Sequence, residues 1–350
     1  MHVQSRAAAK RLTLTSALAV SALALSACGE GDEGNGDGGS DSYSIGIAQP
    51  VGHPALDETR EGFKQAFEDA DVEVDWEEQN AQGDASTETT IAGQMADGGH
   101  DLVGTIATTQ SQAVATSVTD DPVIFMAITD PEDAGLVDSW EAPGGNLTGT
   151  SDLNPVDEQL ELIQQIDEDV ESVGILYASG ESNSEVQVSL AEEAAEDLDL
   201  EIVTSTITNS SEVQQGVESL SGVDAIWIPT DNVVVSALEA VVQFSQQNDI
   251  PLFSADTDSV VRGAVGTYGI DYFGLGLQAG EMALRVLQDG EDPGEMPVET
   301  LEDLELYLNP EAADEMGLEL PEELVDSADV VVGEDVEAED PAEAGEDEEE

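Results

Sequence analysis

The sequence predicts an α/β protein of two doubly wound lobes, each a parallel sheet covered by helices, with a ligand cleft between them. From Tyr43 onward, continuous apolar runs typical of buried strands alternate with amphipathic helical patterns of about 10–15 residues. Crossovers of this kind are right-handed and cover both faces of a sheet. The pattern also occurs twice, because "DLVGTIATTQSQAVA" precedes "PVIFMAITDP" and "VDAIWIPTDNVVVSA" precedes "PLFSADTDS".

The first half of the chain contains four predicted strands and three helices. Continuous or alternating apolar runs predict the strands "YSIGIA", "VEVDW", "DLVGTIA" and "PVIFMAI". Apolar residues at helical spacing predict the helices 54–70, 86–97 and 110–118. The segment "GNLTGTSDLNP" (145–155) would then connect the two lobes.

The second half repeats this alternation. It contains four further predicted strands, "SVGILYA", "LEIVTST", "DAIWIP" and "PLFSA". The helices predicted around them are 155–167, 183–197, 210–220 and 233–247. A glycine-rich second connection (265–276) leads into a helix over 271–289 that returns to the first lobe, and the strand "LEDLELYLN" (301–309) crosses back.

The composition of the two ends of the chain predicts segments that do not belong to the lobes. The predicted organisation is a signal peptide (1–27), a flexible tether (28–42), lobe 1 (43–148 with about 272–300), lobe 2 (149–271 with about 301–325) and an acidic disordered tail (326–350). The stretch "GEGDEGNGDGGSDS" contains no apolar residue to bury, which is typical of a tether.

The amino terminus has the pattern of an export signal. Arg6, Lys10 and Arg11 precede a short apolar run that ends in Leu25-Ser26-Ala27-Cys28. In bacterial lipoproteins the lipid-modified cysteine stands at this point, and Cys28 is the only cysteine of the chain. We therefore expect a mature protein that begins at Cys28 and is held by lipid on the outer face of a membrane; a free thiol is the alternative.

The charge excludes some partners. The chain has 79 acidic and 7 basic residues, a formal net charge of −72, so nucleic acid and anionic lipid would be repelled. The acidic residues are scattered over the predicted helices. This distribution is typical of adaptation to high salt, where self-repulsion is screened over about 3 Å at 1 M.

The residues of an enzyme site are missing from the sequence. There is no "GxSxG" nucleophile turn, no "GxGxxG" after the first strand and no "GxxxxGK[ST]". His53 and His100 lie in different loops without the spacing of zinc ligands. We predict a binding protein rather than an enzyme, with no cofactor and no metal.

Polar residues follow the predicted strands where a ligand would bind. Thr230, Asp231 and Asn232 stand between an apolar strand and the helix that begins near Val233. Capping of that helix explains them locally. Ligands of open parallel sheets, however, bind outside the carboxyl ends of the strands, and clefts between domains are common small-molecule sites.

Several long segments resemble the ABC-transporter substrate-binding lipoproteins of the tryptophan/tyrosine type. They include "HPALDETREGFKQAF", "NAQGDASTETTIA", "PGGNLTGTSDLNPVDEQLELI" and "DTDSVVRGAVGTYGIDYFGLGLQAGEMA", and the resemblance covers roughly 43–325. It implies a type I periplasmic-binding-protein fold, three interlobe crossings, closure on a solute and docking on a membrane permease. The solute implied is an amino acid, and the family is associated with aromatic ones. The acidity and the acidic tail depart from the family.

The strand ends and the resemblance together select the expected ligand-binding residues: His53, Thr108, Thr109, Gln110, Thr129, Asp130, Asn183, Ser184, Thr230, Asp231, Asn232, Asp256 and Tyr268. Thr108, Thr109 and Gln110 would bind a carboxylate at a helix N-terminus. Asp231 and Asp256 would bind an ammonium group. Asp256 is preferred because no helix is expected there to need a cap.

Each of these residues also has a structural explanation. Thr108 to Gln110 could simply cap their helix, Asp130 could start a turn before Pro131, and Asn183 could start the next helix. His53 could be a surface residue. Tyr272 could wall the ligand or pack at the hinge, and Arg262 could pair with a ligand carboxylate or with a neighbouring acid.

Two other functions are compatible with a lipid-anchored two-lobed protein. A ligand sensor would use the same cleft to signal to a membrane partner without transport. A structural or adhesive lipoprotein would bind no small molecule saturably and would not close.

Overall fold

The computed structural model describes residues 42–301, 304–333 and 336. The predicted signal peptide, the lipidation site at Cys28, almost all of the tether and most of the acidic tail lie outside these residues. Within them, no helix is both long and apolar enough to cross a membrane.

Eight of the strands begin within two residues of their predicted positions. In chain order the strands are β1 (Tyr43–Gln49), β2 (Val74–Asn80), β3 (Leu102–Ile106), β4 (Val123–Met126), β5 (Leu147–Ser151), β6 (Ser172–Ala178), β7 (Glu201–Ile207), β8 (Ala225–Ile228), β9 (Leu252–Ser254), β10 (Gly266–Gly269), β11 (Glu299–Thr300), β12 (Glu305–Leu308) and β13 (Val330–Val331). β12 begins four residues after the predicted 301, and β5, β10, β11 and β13 were not predicted as strands.

The helices alternate with these strands. They are α1 (Pro54–Asp69), α2 (Ala85–Gly98), α3 (Thr108–Ser117), α4 (Val156–Ile166), α5 (Ser182–Leu198), α6 (Val213–Glu218), α7 (Asn232–Val235), α8 (Leu238–Asn248), α9 (Thr257–Val261), α10 (Tyr272–Leu284), α11 (Pro310–Glu315) and α12 (Glu322–Val325).

Two parallel sheets form the centres of the two lobes. Lobe 1 contains the six-stranded sheet β11-β5-β4-β3-β1-β2, and lobe 2 contains the four-stranded sheet β7-β6-β8-β9. All pairings within both sheets are parallel. A small third sheet, β10-β12-β13, extends lobe 2. The predicted α/β fold class with two parallel-sheet lobes is confirmed.

The chain passes between the lobes after β5, between β10 and α10, and between β11 and β12. Two predicted boundaries need correction. β5 pairs with β4 in lobe 1, so this lobe extends to Ser151 rather than ending at 148. The tail does not begin at 326, because β13 pairs with β12 and the Asp329 carboxylate accepts a 2.9 Å hydrogen bond from the Leu306 N–H.

The helices that follow β8 and β9 differ from the prediction. The expected helix 233–247 is broken into α7 and α8 at Ser236 and Ala237, where Ala237 leaves helical geometry with φ −133° and ψ 32°. The run of three β-branched valines before the break has weak helix propensity. The short helix α9 was not predicted, because five residues are too few to show a helical period.

Helix α10 returns to lobe 1 by packing against α1 at very close range. A Cβ atom on Gly276 would lie 1.9 Å from the Thr59 carbonyl oxygen, and one on Gly62 would lie 2.0 Å from the Phe273 carbonyl oxygen. Glycine at these positions therefore sets the separation of the two backbones, and α10 is fixed to the lobe that it joins.

We expect Gly276→Ala to lower the free energy of unfolding by about 2 kcal/mol or more, because the helices must separate to admit the methyl group. Chemical denaturation would measure the change. Gly93→Ala in α2 is the control, since a Cβ there meets nothing within 4 Å. That variant should be neutral or more stable by up to about 1 kcal/mol; equal effects of both substitutions would contradict the packing argument.

Candidate functional site

A pocket lies between the lobes at the carboxyl ends of their strands. The space between its atoms amounts to about 350 Å³, a figure that includes the part open to solvent. Eight of the predicted residues line it: His53, Thr108, Thr129, Asn183, Thr230, Asp231, Asn232 and Asp256. Residues that were not predicted for the site complete the lining: Ala55, Leu56, Ala127, Asp152, Val235 and Tyr272.

Three predicted residues of lobe 1 lie outside this lining because their side chains serve the lobe itself. The Gln110 amide is buried and donates to the Glu88 carbonyl oxygen at 3.3 Å. Thr109 hydrogen-bonds the Glu88 carboxylate. Asp130 accepts hydrogen bonds from the N–H groups of two following residues, as expected for the turn that was its alternative explanation.

Two predicted residues of lobe 2 are also outside the lining. Ser184 is buried and donates to Asp231 Oδ2 at 2.7 Å, so it supports a pocket residue from behind. Tyr268 lies on β10, and its ring packs on the hydrophobic core of lobe 2.

Hydrogen bonds join the lobes across the pocket. His53 Nε2 of lobe 1 lies 3.2 Å from Asn232 Oδ1 of lobe 2, and the hydroxyl oxygens of Thr129 and Thr230 are 3.4 Å apart. The Gln187 amide of α5 donates to both threonine hydroxyls. The cleft is therefore closed in this structure.

Asp231, one of the two expected ammonium partners, is already fully engaged within lobe 2. Its Oδ1 caps α7 by accepting from the Val234 N–H at 2.9 Å. Its Oδ2 accepts from the Ala178 N–H and from the Ser184 hydroxyl, both at 2.7 Å. Burial raises the pKa of Asp231 despite these donors. The residue lines the pocket but primarily holds α7 in place.

Asp256, the preferred ammonium partner, also caps a helix. Contrary to the expectation, α9 begins immediately after it. Its two carboxylate oxygens accept from the N–H and from the hydroxyl of Ser259, both at 2.8 Å. Each oxygen of Asp256 thus accepts one hydrogen bond from Ser259, whereas a carboxylate can accept about four in all. The buried Asp256 therefore keeps acceptor capacity for a ligand in the pocket.

Asp152 is the acid that sequence reasoning missed. It directly follows β5, in the first crossing between the lobes, and it is buried. Its Oδ1 accepts from the Thr129 hydroxyl and its Oδ2 from the Tyr272 hydroxyl, both at 3.2 Å. Burial raises the pKa of Asp152 to about 6. Its place in the predicted interlobe segment "GNLTGTSDLNP" was the signal that could have identified it.

Tyr272 combines the two roles considered for it. It is buried at the start of α10, it packs in the core of lobe 1, and it also lines the pocket. Burial and the nearby Asp152 raise its pKa well above the usual range, so its hydroxyl stays protonated and donates to that acid. Tyr272 thus fixes the Asp152 carboxylate in the pocket wall.

Arg262 is outside the pocket lining and pairs with Glu239, in agreement with its structural explanation. Its Nε and Nη2 both approach Glu239 Oε1, at 3.1 and 2.5 Å. Arg262 is therefore not the donor for a ligand carboxylate, which would need hydrogen-bond donors from the pocket lining.

The start of α3 supplies such donors. Ala107 and Ala127 follow β3 and β4 with φ values of 64° and 53°, a conformation that is costly for residues other than glycine. Ala127 lines the pocket, as does Thr108 at the first position of α3. Among the residues that the structure describes, no side chain caps α3. The free N–H groups of its first turn therefore favour an anion at this end of the pocket.

We expect Asp152→Asn to stabilise the ligand-free protein at pH 7.5. Burial raises the pKa of this carboxyl from 3.8 to about 6, so ionising it destabilises the folded protein. The folded state keeps its full stability below about pH 4, where the carboxyl is protonated, and loses stability as the pH rises through 6. The neutral amide removes this loss, which should add about 1–3 kcal/mol to the free energy of unfolding at pH 7.5 and little at pH 4.

Denaturation at the two pH values would measure this gain. Asp84→Asn is the control, because hydrogen bonds from Ser86 and Thr87 lower the pKa of that exposed carboxyl. Its substitution should change stability in the opposite direction or not at all. A loss of stability in Asp152→Asn at pH 7.5 would show that ionised Asp152 supports the fold.

Comparison with known proteins assigns a family. The family model described as "ABC transporter substrate binding protein" matches residues 44–332. The tyrosine-binding protein of Clostridioides difficile is 40% identical over 273 residues, which cover 76% of this chain and 78% of that protein.

Solved structures agree with this assignment. An ABC domain from Streptococcus pneumoniae in complex with L-Trp has a TM-score of 0.80 at 35% identity, covering 83% of this chain and 100% of that chain. A ligand-free, open structure of a substrate binding protein with adhesive properties from Clostridium difficile has a TM-score of 0.64 at 38% identity, covering 83% and 99%. At similar identity, the present closed structure is therefore more similar to the L-Trp complex than to the open form.

Proposed function

The chain belongs to the family of ABC transporter substrate-binding proteins, and from this premise we propose that it captures an aromatic amino acid, tyrosine or tryptophan, between its lobes. The observation that carries the proposal is one pocket between the lobes that is lined both by two buried acids, Asp152 and Asp256, and by Thr108 at the uncapped start of α3. The names of two relatives support the class of ligand.

The ammonium group would bind between Asp152 and Asp256. Both carboxylates are buried, and neither forms a salt bridge with a described residue. Buried charges require compensation, so a cationic group between them gains a charge-assisted hydrogen bond with little competition from water.

The carboxylate and the side chain would occupy the rest of the pocket. The N–H groups at the start of α3, with the Thr108 side chain, are the donors suited to the carboxylate. Leu56 and Val235 face the pocket from opposite lobes together with the Tyr272 ring. These apolar surfaces suit an aromatic ring and explain why closure of both lobes is needed to enclose it.

Capture would proceed by closure of an open form. A ligand shifts this equilibrium only by its greater affinity for the closed form. Contacts to acids on both sides of the hinge, Asp152 in the first crossing and Asp256 in lobe 2, supply this difference. The closed protein would then deliver the amino acid to an ABC permease for import.

We also propose that lipid on Cys28 anchors the protein at the extracytoplasmic face of the cell membrane. The signal pattern that ends in Leu25-Ser26-Ala27-Cys28 supports this anchor. The net charge of −72 further supports operation at high salt, where screening limits repulsion between the scattered acids.

Calorimetric or thermal-shift titration of the protein at high salt with the amino acids tests the proposed ligand. Tyrosine or tryptophan at 100 times its dissociation constant should add about 2.7 kcal/mol to the stability of the folded state. Asp256→Asn should weaken this binding roughly 10- to 100-fold, since asparagine still caps α9 but has no charge. If no aromatic amino acid binds the folded protein, the proposed ligand is wrong.

Asp84→Asn is again the matched control. Asp84 caps α2 as Asp256 caps α9, but it lies outside the pocket lining. Its substitution should leave the affinity unchanged. Equal weakening by both variants would show that loss of a cap, not loss of pocket charge, is responsible.

For the anchor, we expect Cys28→Ala expressed with its signal to move from the membrane fraction to the soluble exported fraction. The affinity for the amino acid should not change, because the pocket lining runs only from His53 to Tyr272. Fractionation followed by ligand titration would measure both properties. Retention of the variant in the membrane fraction would contradict lipidation at Cys28.

A further inference from the structure

Two buried polar atoms of the pocket lining have no hydrogen-bond partner among the described residues. They are His53 Nδ1 in lobe 1 and Asn183 Oδ1 in lobe 2. A buried polar atom without a partner is costly, and in a binding pocket it marks a position where a ligand group is expected. The chemistry of these two atoms therefore indicates the chemistry of the ligand.

The orientation of the Asn183 amide is fixed by two acceptors. Its Nδ2 donates to Glu181 Oε2 at 3.1 Å and to the Thr230 carbonyl oxygen at 2.8 Å. Exchanging the amide oxygen and nitrogen would place an acceptor against both of these oxygens. The unpartnered Oδ1 of Asn183 is therefore a hydrogen-bond acceptor.

The tautomer of His53 is fixed in the same way. Asn232 Nδ2 donates to Glu181 Oε2 at 2.7 Å, so Asn232 presents its Oδ1 to His53. His53 Nε2, 3.2 Å from this oxygen, must carry the proton. Burial lowers the pKa of His53, which keeps the ring neutral. The unpartnered Nδ1 is then also an acceptor.

Glu181 organises both side chains, although it does not line the pocket. It is 4% exposed, and it accepts from both asparagine amides as well as from the N–H groups of Asn232 and Val233. Burial and the nearby Asp231 raise its pKa to about 8. The hydrogen bonds from Asn183 and Asn232 act against this shift. Oε2 accepts from both asparagine amides and so orients them.

We propose that His53 Nδ1 and Asn183 Oδ1 form a two-acceptor subsite that binds an N–H or O–H group on the ring of the ligand's side chain. This inference rests on the proposed function and deepens it. Neutral acceptors suit a neutral donor such as a phenol or an indole, whereas the ammonium group finds ionised acids at Asp152 and Asp256. The pocket would therefore select tyrosine and tryptophan over phenylalanine, which has no ring donor.

The first test compares ligands on the unaltered full-length protein by calorimetry. Phenylalanine and 4-fluorophenylalanine should bind roughly 10- to 100-fold more weakly than tyrosine, since they leave both acceptors unpaired. The donor-bearing 4-aminophenylalanine should bind within about tenfold of tyrosine. If phenylalanine binds as tightly as tyrosine, the two acceptors do not bind a donor on the ring and the proposal is wrong. If none of these ligands nor tryptophan binds, the proposed function itself fails.

The second test removes an acceptor. His53→Leu and Asn183→Leu should each weaken tyrosine and tryptophan roughly tenfold or more relative to phenylalanine, so the preference for a ring donor falls. Equal weakening of all three amino acids would overturn the proposal, because it would place these residues at the shared ammonium group or in lobe closure.

His100→Leu is the matched control for the histidine substitution. His100 is a buried histidine of lobe 1 that contacts Ser44 Oγ at 3.1 Å and lies outside the pocket lining. Its substitution should leave the ratio of tyrosine to phenylalanine affinity unchanged. A change in that ratio equal to that of His53→Leu would show that the ratio responds to general destabilisation of lobe 1, and the proposal would be withdrawn.

Discussion

The structure depends above all on the burial of negative charge around one pocket. Asp152, Glu181, Asp231 and Asp256 are all at most 4% exposed, and none of them pairs with a cation among the described residues. Backbone N–H groups, hydroxyls and amides stabilise them instead, mostly at the starts of short helices. Such donors offset part of the cost of desolvation. Buried carboxyl groups without a cation nearby favour a cationic group of a ligand.

This arrangement couples recognition to closure. Asp152 lies in a crossing segment and is held by Thr129 and Tyr272 of lobe 1, whereas Asp256 caps a helix of lobe 2. A ligand between them adds attraction only when the lobes approach. The closed form also brings His53 against Asn232. In the proposed binding mode, the movement that would enclose the ammonium group also fixes the imidazole, so affinity and selectivity would arise in one step.

Sequence predicts the fold and much of the pocket for one physical reason. Parallel strands all end at the same edge of a sheet, so polar residues just after an apolar run, such as His53, Thr129 and Asn232, converge without any knowledge of long-range contacts. This reasoning could not predict which of the two acids, Asp231 or Asp256, is free to bind a ligand. The sequence favoured Asp256 because no helix was expected after it, but α9 begins there. Only the donors around the two acids show that Asp231 is committed to α7.

Glu181 shows most clearly what remains hidden. In a chain with 79 acidic residues, its identity carries no signal, and its role depends on amides that lie two and fifty-one positions away. Burial distinguishes it physically from the acids of the surface. At 1 M salt the screening length is about 3 Å, so surface charges interact only at very short range, whereas buried groups are screened much less. If the protein works at high salt, as proposed, recognition by desolvated acids and oriented acceptors would keep its specificity there.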